Sequence, residues 1–318
     1  MPFEPMPIAT RTSPLALAQA YNLQAILGQA AGVEDYAAAF PILGLSTTGD
    51  RITDRALLAA GGKGLFTKEL ETALLAGEAR FAVHSMKDVP TRLPEGLAIA
   101  AILEREDPRD VLLVANGSAQ LADLPQGAVL GTASIRRQAQ ALAARPDLKV
   151  TLLRGNVDTR LGKVRDGAID ATFLARAGLR RLGRDEAKLT PIDTGAMLPA
   201  PAQGCVGVEI RMGDAQAQAL CAAIQHHDSA LAAAAERGVL EALDGSCRTP
   251  IAAYAHIVNG EIRLSAEALS EDGKQRWTGS GSAPAMGLAE AAALGRSVGE
   301  HIRDAGGAAL AAIIAGTG

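Results

Sequence analysis

Aromatic residues are scarce in this 318-residue chain: one Trp, three Tyr and five Phe, 3% of the total. A protein that grips single-stranded nucleic acid by stacking bases needs more platforms than that, so a nucleic-acid partner is disfavoured. Cysteine is sparse too. Cys205, Cys221 and Cys247 form no CxxC pair, and an odd set of three reads as reduced thiols rather than a disulfide framework. The adjacent His226 and His227 have no carboxylates or cysteines at metal-ligand spacing, so no metal site is expected. Long apolar runs are missing, because the Ala-rich stretches are broken by Gly or charge, and no membrane span is expected. The opening MPFEPMPIATR lacks a basic region followed by an apolar core, so no secretory leader is expected either. These absences together point to a cytoplasmic protein.

What remains is an ordinary globular composition, 48% hydrophobic and 21% charged, enough for two or three domains with sizeable cores. The net charge of −4 is unevenly spread. Twelve Lys/Arg and four Asp/Glu fall between Gly131 and Arg184, a local balance of +8, which leaves −12 for the rest of the chain. A basic block inside an acidic protein suggests one specific anionic ligand more than a general polyanion surface.

The first half alternates strands and helices. PIATR reads as a strand, and Ser13-Pro14 opens the helix SPLALAQAYNLQAILGQA with a good N-cap and a proline in the first turn. FPILGLST is a strand, FTKELETALLAG a helix ending at Gly77, and RFAVHS and LAIAAIL are strands. Such alternation argues for parallel sheets with crossover helices, an α/β fold. At LEREDPRDVLLV the chain turns charged and meets Pro108, a crossing into a second domain. The alternation then restarts: strand AVLGT, helix SIRRQAQALAARP opened by Ser134, strand KVTLLRG, helix DTRLGKVRDG capped by Asp158, strand DATFLAR. The Pro/Gly-rich MLPAPAQG brings the chain back. ATRTSPLALAQA and GTASIRRQAQAL echo one another as strand, Ser, helix, and two Ser-capped helix N-termini facing each other would make an anion-binding cleft. After about residue 226 the style changes to a helix, antiparallel strands joined at Asn-Gly and Asp-Gly, and a closing helix, a small α+β domain.

Four motifs admit a plain and a functional reading. GGKGLFTKE is either a flexible loop or a loop that presents Lys63 to an anion; it is no P-loop, because Gly64 follows Lys63. In HSMKDVP, Lys87 and Asp88 are either a solvated pair or groups at the C-terminal end of a strand, where open α/β sheets bind ligands. There Asp88 could stabilise a cation or handle protons. Arg136, Arg137, Arg154, Arg160 and Arg181 are either solvated or converge on an anion. Arg-Arg at a helix N-terminus opposes the helix dipole, and an anion would resolve that conflict. Cys247, in LDGSCRTP, is either a small buried side chain or an accessible thiol that serves as nucleophile or attachment point. Cys205 and Cys221 read as buried hydrophobes.

In order along the chain, IATRTSPLALAQA, GGKGLFTKELE, AVHSMKDVPT, LEREDPRDVLL, LGTASIRRQAQ, LLRGNVDTRLGKV, AGLRRLG, PAPAQGCVGVE and LDGSCRTPIAAY resemble one family, hydroxymethylbilane synthase, also called porphobilinogen deaminase. The resemblance implies a transferase that joins four porphobilinogen molecules head to tail with loss of ammonia. An electrophilic azafulvene forms as the amine leaves, and the product is the linear tetrapyrrole hydroxymethylbilane. It implies Asp88 as the catalytic carboxylate, and a dipyrromethane cofactor bound by a thioether to Cys247. Lys63, Ser85, Lys87, Asp88, Thr132, Ser134, Arg136 and Arg137 would hold that cofactor. Arg11, Ser13, Arg154, Arg160, Arg181 and Gln203 would meet the substrate's acetate and propionate groups.

The family fold implied is two α/β domains like periplasmic binding proteins, residues 1–104 with 201–223 and residues 105–200, and an α+β cofactor-attachment domain at 224–318. A monomer is implied. Ala202 stands where the family usually has Gly before Gln-Gly, Ser246 replaces a common Gly before the cysteine, and Ala133 a common Ser; Ala202 would stiffen a hinge. The competing reading is a non-catalytic two-lobed anion-binding protein, which has no need of Asp88 beside Lys87 or of a cysteine-bearing third domain.

Overall fold

The computed structural model describes residues 4–51, 64–184, 189–244 and 249–315. From the N-terminus, β1 (Ile8–Arg11) leads into α1 (Pro14–Ala31), followed by α2 (Tyr36–Ala39), β2 (Ile42–Leu45) and α3 (Thr48–Arg51). Next come α4 (Lys68–Ala76), β3 (Phe81–Ser85) and β4 (Leu97–Ile102). The chain continues through β5 (Asp110–Val114), β6 (Gly117–Ala119), β7 (Val129–Gly131), α5 (Ile135–Ala144), β8 (Lys149–Thr151), α6 (Val157–Arg165), β9 (Ala171–Ala175) and α7 (Arg176–Arg181). It returns through β10 (Val206–Arg211), α8 (Ala215–Ile224) and α9 (His227–Ala242). It closes with β11 (Ile251–Val258), β12 (Glu261–Leu269), β13 (Arg276–Pro284) and α10 (Leu288–Ala315).

Contacts divide the chain into two compact units, Met1–Glu106 with Cys205–Ala230, and Asp107–Gly204 with Leu231–Gly318. The first holds a five-stranded sheet in the order β2-β1-β3-β10-β4. β1 runs parallel to β2 and β3, whereas β10 is antiparallel to both β3 and β4. The second unit holds a five-stranded sheet, β6-β5-β9-β7-β8, in which β7 is parallel to β8 and β9 and β5 is antiparallel to β9 and β6. Read from the parallel side, β2-β1-β3-β10-β4 and β8-β7-β9-β5-β6 follow one plan. The antiparallel strands β10 and β5 are each the first element after the chain passes from one unit to the other. The sheets are therefore mixed, not the parallel sheets expected from alternation. β5 and β10, unassigned by that reading, are central strands.

Local chemistry fixes the helix ends that matter. Ser13 is extended (φ −67°, ψ 147°), its Oγ accepts the Ala16 N–H, and Pro14 starts the helix. Gly32 ends α1 at φ +65°, in the left-handed region glycine reaches without a Cβ clash. Ser134 caps α5 by accepting the Arg137 N–H at 3.4 Å. α6 is capped by Asn156, whose Oδ1 accepts the Thr159 N–H at 2.9 Å. Asp158, expected in that role, lies inside the first turn.

The core of the first unit gathers Met6, Ile8, Leu23, Leu27, Phe40 and Phe81, all fully buried. Cys205 and Cys221 are buried, and burial pushes the Cys221 thiol up to about 12, which makes it inert. In the second unit Leu112, Leu130 and Phe173 fill the core of the mixed sheet. The antiparallel sheet β11-β12-β13 packs separately against α9 and α10 through Leu231, Val239, Leu264, Val298 and Ile302. Asn259 and Gly260, both at positive φ (53° and 75°), make the two-residue turn expected between β11 and β12. No described helix is long and apolar enough to cross a membrane.

Candidate active site

In the first unit the expected site residues gather at the C-terminal ends of the adjacent parallel strands β1 and β3, the edge at which α/β sheets bind ligands. Arg11 closes β1, with its guanidinium carbon 4.3 Å from the centre of the Phe66 ring. Ser13 follows as the cap of α1. Ser85 ends β3 and exchanges hydrogen bonds with the Gln19 side chain (2.9 Å from Gln19 Nε2 to Ser85 Oγ), which ties the strand end to α1. Lys87 and Asp88 then fall in a short 3₁₀ turn, Met86–Asp88, and both are half-buried. Met86 points inward and is 2% exposed. Its backbone N–H donates to the Cys205 carbonyl on the β10 side, so the turn is pinned from below. No described residue binds the Asp88 carboxylate by hydrogen bond or ion pair.

The neighbouring His84 points to the other face. It is buried, with Nε2 2.8 Å from Glu209 Oε2. Of the four polar groups in HSMKD, the histidine thus serves the sheet interior, and Ser85, Lys87 and Asp88 occupy its edge.

The second unit repeats the placement. Thr132 and Ser134 follow β7, Arg154 follows β8, Arg160 lies on α6, and Arg181 ends the helix that follows β9. Thr132 is buried and its Oγ1 accepts the Ser134 N–H at 3.1 Å. Arg136 and Arg137 are 5% and 6% exposed, which rules out a solvated helix face. Their partner is Asp110 at the start of β5. Arg136 Nη2 donates to Oδ2 and Arg137 Nη2 to Oδ1, each at 2.8 Å. Arg136 Nη1 also donates to the Leu198 carbonyl at 2.8 Å, and Arg137 Nη1 to that of Phe173 at 3.0 Å. The dipole conflict read from the sequence is therefore met first by an anion of the chain itself. Burial alone would push the Asp110 carboxyl up, but the fields and hydrogen bonds of Arg137 and Arg136 win and hold it well below the usual carboxylate range.

Gln203, expected to face the substrate, is buried instead against the same carboxylate. Its Nε2 donates to Asp110 Oδ1 at 2.8 Å and to the Pro108 carbonyl at 2.6 Å. Asp110 itself carried no expected role. The signal was present as a single acidic residue opening the apolar run DVLLV, where an unpaired charge would be costly.

Two guanidiniums share one carboxylate, so a positive charge is left over. The Nε–H groups of both Arg136 and Arg137 are buried without an acceptor. Arg160 is pushed down to about 10, mainly by burial and then by the nearby positive charges of Arg137 and Arg154. Its Nε donates to the Gly155 carbonyl at 2.9 Å. Arg181 donates through Nη2 to the Gly204 carbonyl at 2.6 Å. A buried arginine beside other cations is unfavourable by itself and becomes favourable beside an anion. The donor set fits a ligand carrying several carboxylates. Lys63 and Cys247 lie outside the described residues.

Residues 6–219 match the family model described as "Porphobilinogen deaminase, dipyromethane cofactor binding domain", and residues 230–304 the one described as "Porphobilinogen deaminase, C-terminal domain". The porphobilinogen deaminase of Phenylobacterium zucineum is 50% identical over 98% of this chain and 99% of its own length. That of Paracoccus denitrificans is 50% identical over 95% of each chain. Among solved structures, the periplasmic VFT2 domain of Bordetella pertussis BvgS is similar with a TM-score of 0.40 and 16% identity, over 69% of this chain and 86% of that one.

Proposed function

The chain belongs to the porphobilinogen deaminase family, and from that premise we propose how its own residues divide the work. It is a hydroxymethylbilane synthase, a transferase that condenses four porphobilinogen molecules with release of ammonia, and its cofactor is dipyrromethane. Once bound, the cofactor is the primer, and its free pyrrole α-carbon supplies the nucleophile.

The single observation that carries the assignment of the catalytic group is Asp88. It is a half-buried carboxylate at the strand-end edge of the first sheet, fixed in place by its backbone and uncommitted by its side chain. A buried carboxylate that serves structure looks different, as Asp110 does between two arginines and Glu209 does against the His84 ring. We assign to Asp88 the pyrrole N–H groups and the positive charge that develops on the substrate as its amine leaves. A fixed negative charge needs no reorganisation at that moment. Lys87 and Ser85 beside it meet cofactor carboxylates, and Arg11 and Ser13 those of the substrate.

Arg136, Arg137 through its unclaimed Nε–H, Thr132, Ser134 and Lys63 meet the acetate and propionate groups of the cofactor. Arg154, Arg160 and Arg181 meet those of the incoming substrate. Gln203 supports this through Asp110. Cys247 is the attachment point, because a soft thiolate is an effective trap for an electrophilic pyrrole carbon. We further place the enzyme in the cytoplasm, working as a monomer without nucleic acid. The reduced, sparse cysteines and the scarcity of aromatics support this reading.

The test is the intact mass of the denatured protein beside a Cys247→Ser control. The expected result is the extra mass of two linked pyrrole units in the parent and none in the control. A parent that stays unmodified after incubation with porphobilinogen would overturn the attachment. A kinetically normal, folded Asp88→Asn variant would overturn the catalytic assignment.

A further inference from the structure

The α+β portion of the second unit carries a charge with no part in the roles above. Glu267 lies on β12, is 0% exposed, and holds Arg276 of β13 through Oε2, which accepts from Arg276 Nε at 2.6 Å. Its second oxygen, Oε1, is buried and has no hydrogen-bond partner. A buried carboxylate with one idle oxygen is costly unless a donor stands near.

Such a donor exists on α5. The Arg136 Nε–H is buried and equally without a partner. Burial pushes the Glu267 carboxyl up and the Arg136 guanidinium down, and the charge of each works against that shift in the other. α5 is also seated on the β12–β13 hairpin. Gln138 Nε2 donates to the Glu271 carbonyl at 3.3 Å. Gly273, at φ +72°, rests so close to α5 that a Cβ there would lie 2.6 Å from the Ala139 carbonyl oxygen. The helix that presents the arginine pair is therefore held by Asp110 from one sheet and by the hairpin of the other.

We propose that Glu267 is a positioning residue for Arg136. Its idle Oε1 takes the Nε–H through one water, and so fixes the plane of the guanidinium that Asp110 grips at Nη2. The Leu198 carbonyl and Asp110 hold Nη1 and Nη2, and a third contact at Nε sets the angle at which the remaining N–H donors are presented. Through this contact the β11-β12-β13 sheet helps orient the helix that receives the cofactor's carboxylates. The inference rests on the assignment of Arg136 to the cofactor.

A double-mutant cycle on the full chain tests it. Glu267→Gln keeps the shape and removes the charge; Arg136→Lys keeps a charge and removes the Nε–H. The readouts are the ratio of cofactor-loaded to unloaded chain after incubation with porphobilinogen, taken from intact mass, and KM against kcat. Each single variant is expected to lower the loaded ratio about tenfold, the scale of one charge-assisted hydrogen bond. The double variant is expected to be no worse than Arg136→Lys alone. Effects that simply multiply in the double variant, or a Glu267→Gln protein that loads like the parent, overturn the role of Glu267. An Arg136→Lys protein that loads like the parent removes instead the assignment on which the inference rests.

Arg276→Lys separates positioning from packing, since it breaks the two-pronged contact on Glu267 and leaves a cation over it. Loading at the parent's level is expected, and a loss as large as that of Glu267→Gln overturns the proposal. Should Glu267→Gln not fold, Glu267→Met repeats the cycle with an apolar side chain of similar length.

Discussion

Asp110 receives Arg137 on Oδ1 at 2.8 Å, with both side chains buried, although the two residues are 27 positions apart and belong to different elements. The same carboxylate takes Arg136 on its other oxygen. One anion thus carries two cations and leaves an excess of positive charge at the N-terminus of α5, where the dipole already favours an anion. The chain keeps its arginines folded without a ligand and still keeps them short of negative charge.

Asp110→Asn should therefore damage stability more than shape. Removing one partner of a buried ion pair leaves uncompensated charge and costs on the order of 3–5 kcal/mol. Denaturant unfolding at neutral pH measures it. The carboxyl is held below its ordinary value, so its contribution is fully present above the unfolded pKa of about 4 and is lost only as pH falls through the lower folded value. The stability gap between parent and variant should stay constant from about pH 8 to about pH 5 and close only in stronger acid. A gap that closed near pH 6 would assign the effect to another group.

Asp88→Ala should do the reverse. The carboxylate has no described partner, so the unfolding midpoint should hardly move. The turnover rate should fall by on the order of 10²–10³, the usual loss when a preorganised electrostatic group is removed from a reacting centre. Asp88→Glu should recover part of kcat. Equal losses of stability and rate would mark Asp88 as structural.

The parts of this site that follow from local chemistry were legible in the sequence. Ser13 and Ser134 announce helix starts because a cap is a bond over three residues, and HSMKD marks a strand end because polar groups follow an apolar run directly. The strands β5 and β10 were not legible. Each lies beside partners far away in the chain, and its place depends on where the chain crosses between units. Asp110 was hidden for the same reason. Its charge could be read, but the arginines that neutralise it are 26 and 27 residues away. The sequence around Gln203 points to the substrate, and only the placement of Asp110 shows which carboxylate its amide meets. Asp158 fits a cap by residue type, yet Asn156 two residues earlier has the extended backbone a cap needs.

Two glycine-to-alanine changes should shift stability in opposite directions. In a helix interior Ala is favoured over Gly by about 1 kcal/mol. At Gly162 on α6 nothing lies within 4 Å of the added methyl, so Gly162→Ala should stabilise by roughly 0.5–1 kcal/mol. At Gly295 on α10 the methyl would overlap the Ala235 carbonyl of α9, a backbone atom that cannot turn aside. Gly295→Ala should thus cost more than about 2 kcal/mol by forcing the two helices apart. Thermal unfolding of the two variants side by side decides it, and a stabilising Gly295→Ala would mean that α9 and α10 are not packed this closely.

Arg160 offers the sharpest separation of binding from folding. Its pKa is pushed down to about 10 by burial and by Arg137 and Arg154, so the folded protein disfavours its charged form. A cation with a depressed folded pKa works against stability at every pH below that value, because the unfolded chain holds the proton more tightly. Arg160→Gln removes that penalty and forfeits one hydrogen bond to the Gly155 carbonyl, worth about 1 kcal/mol. Stability should then stay level or rise by up to about 1 kcal/mol. Anion binding should weaken instead, with a higher KM for porphobilinogen. Citrate, a polycarboxylate bound only by the folded state, should raise the thermal midpoint of the parent more than that of the variant. A variant less stable than the parent and equally responsive to citrate would make Arg160 a scaffold residue and leave the substrate's carboxylates to Arg154 and Arg181.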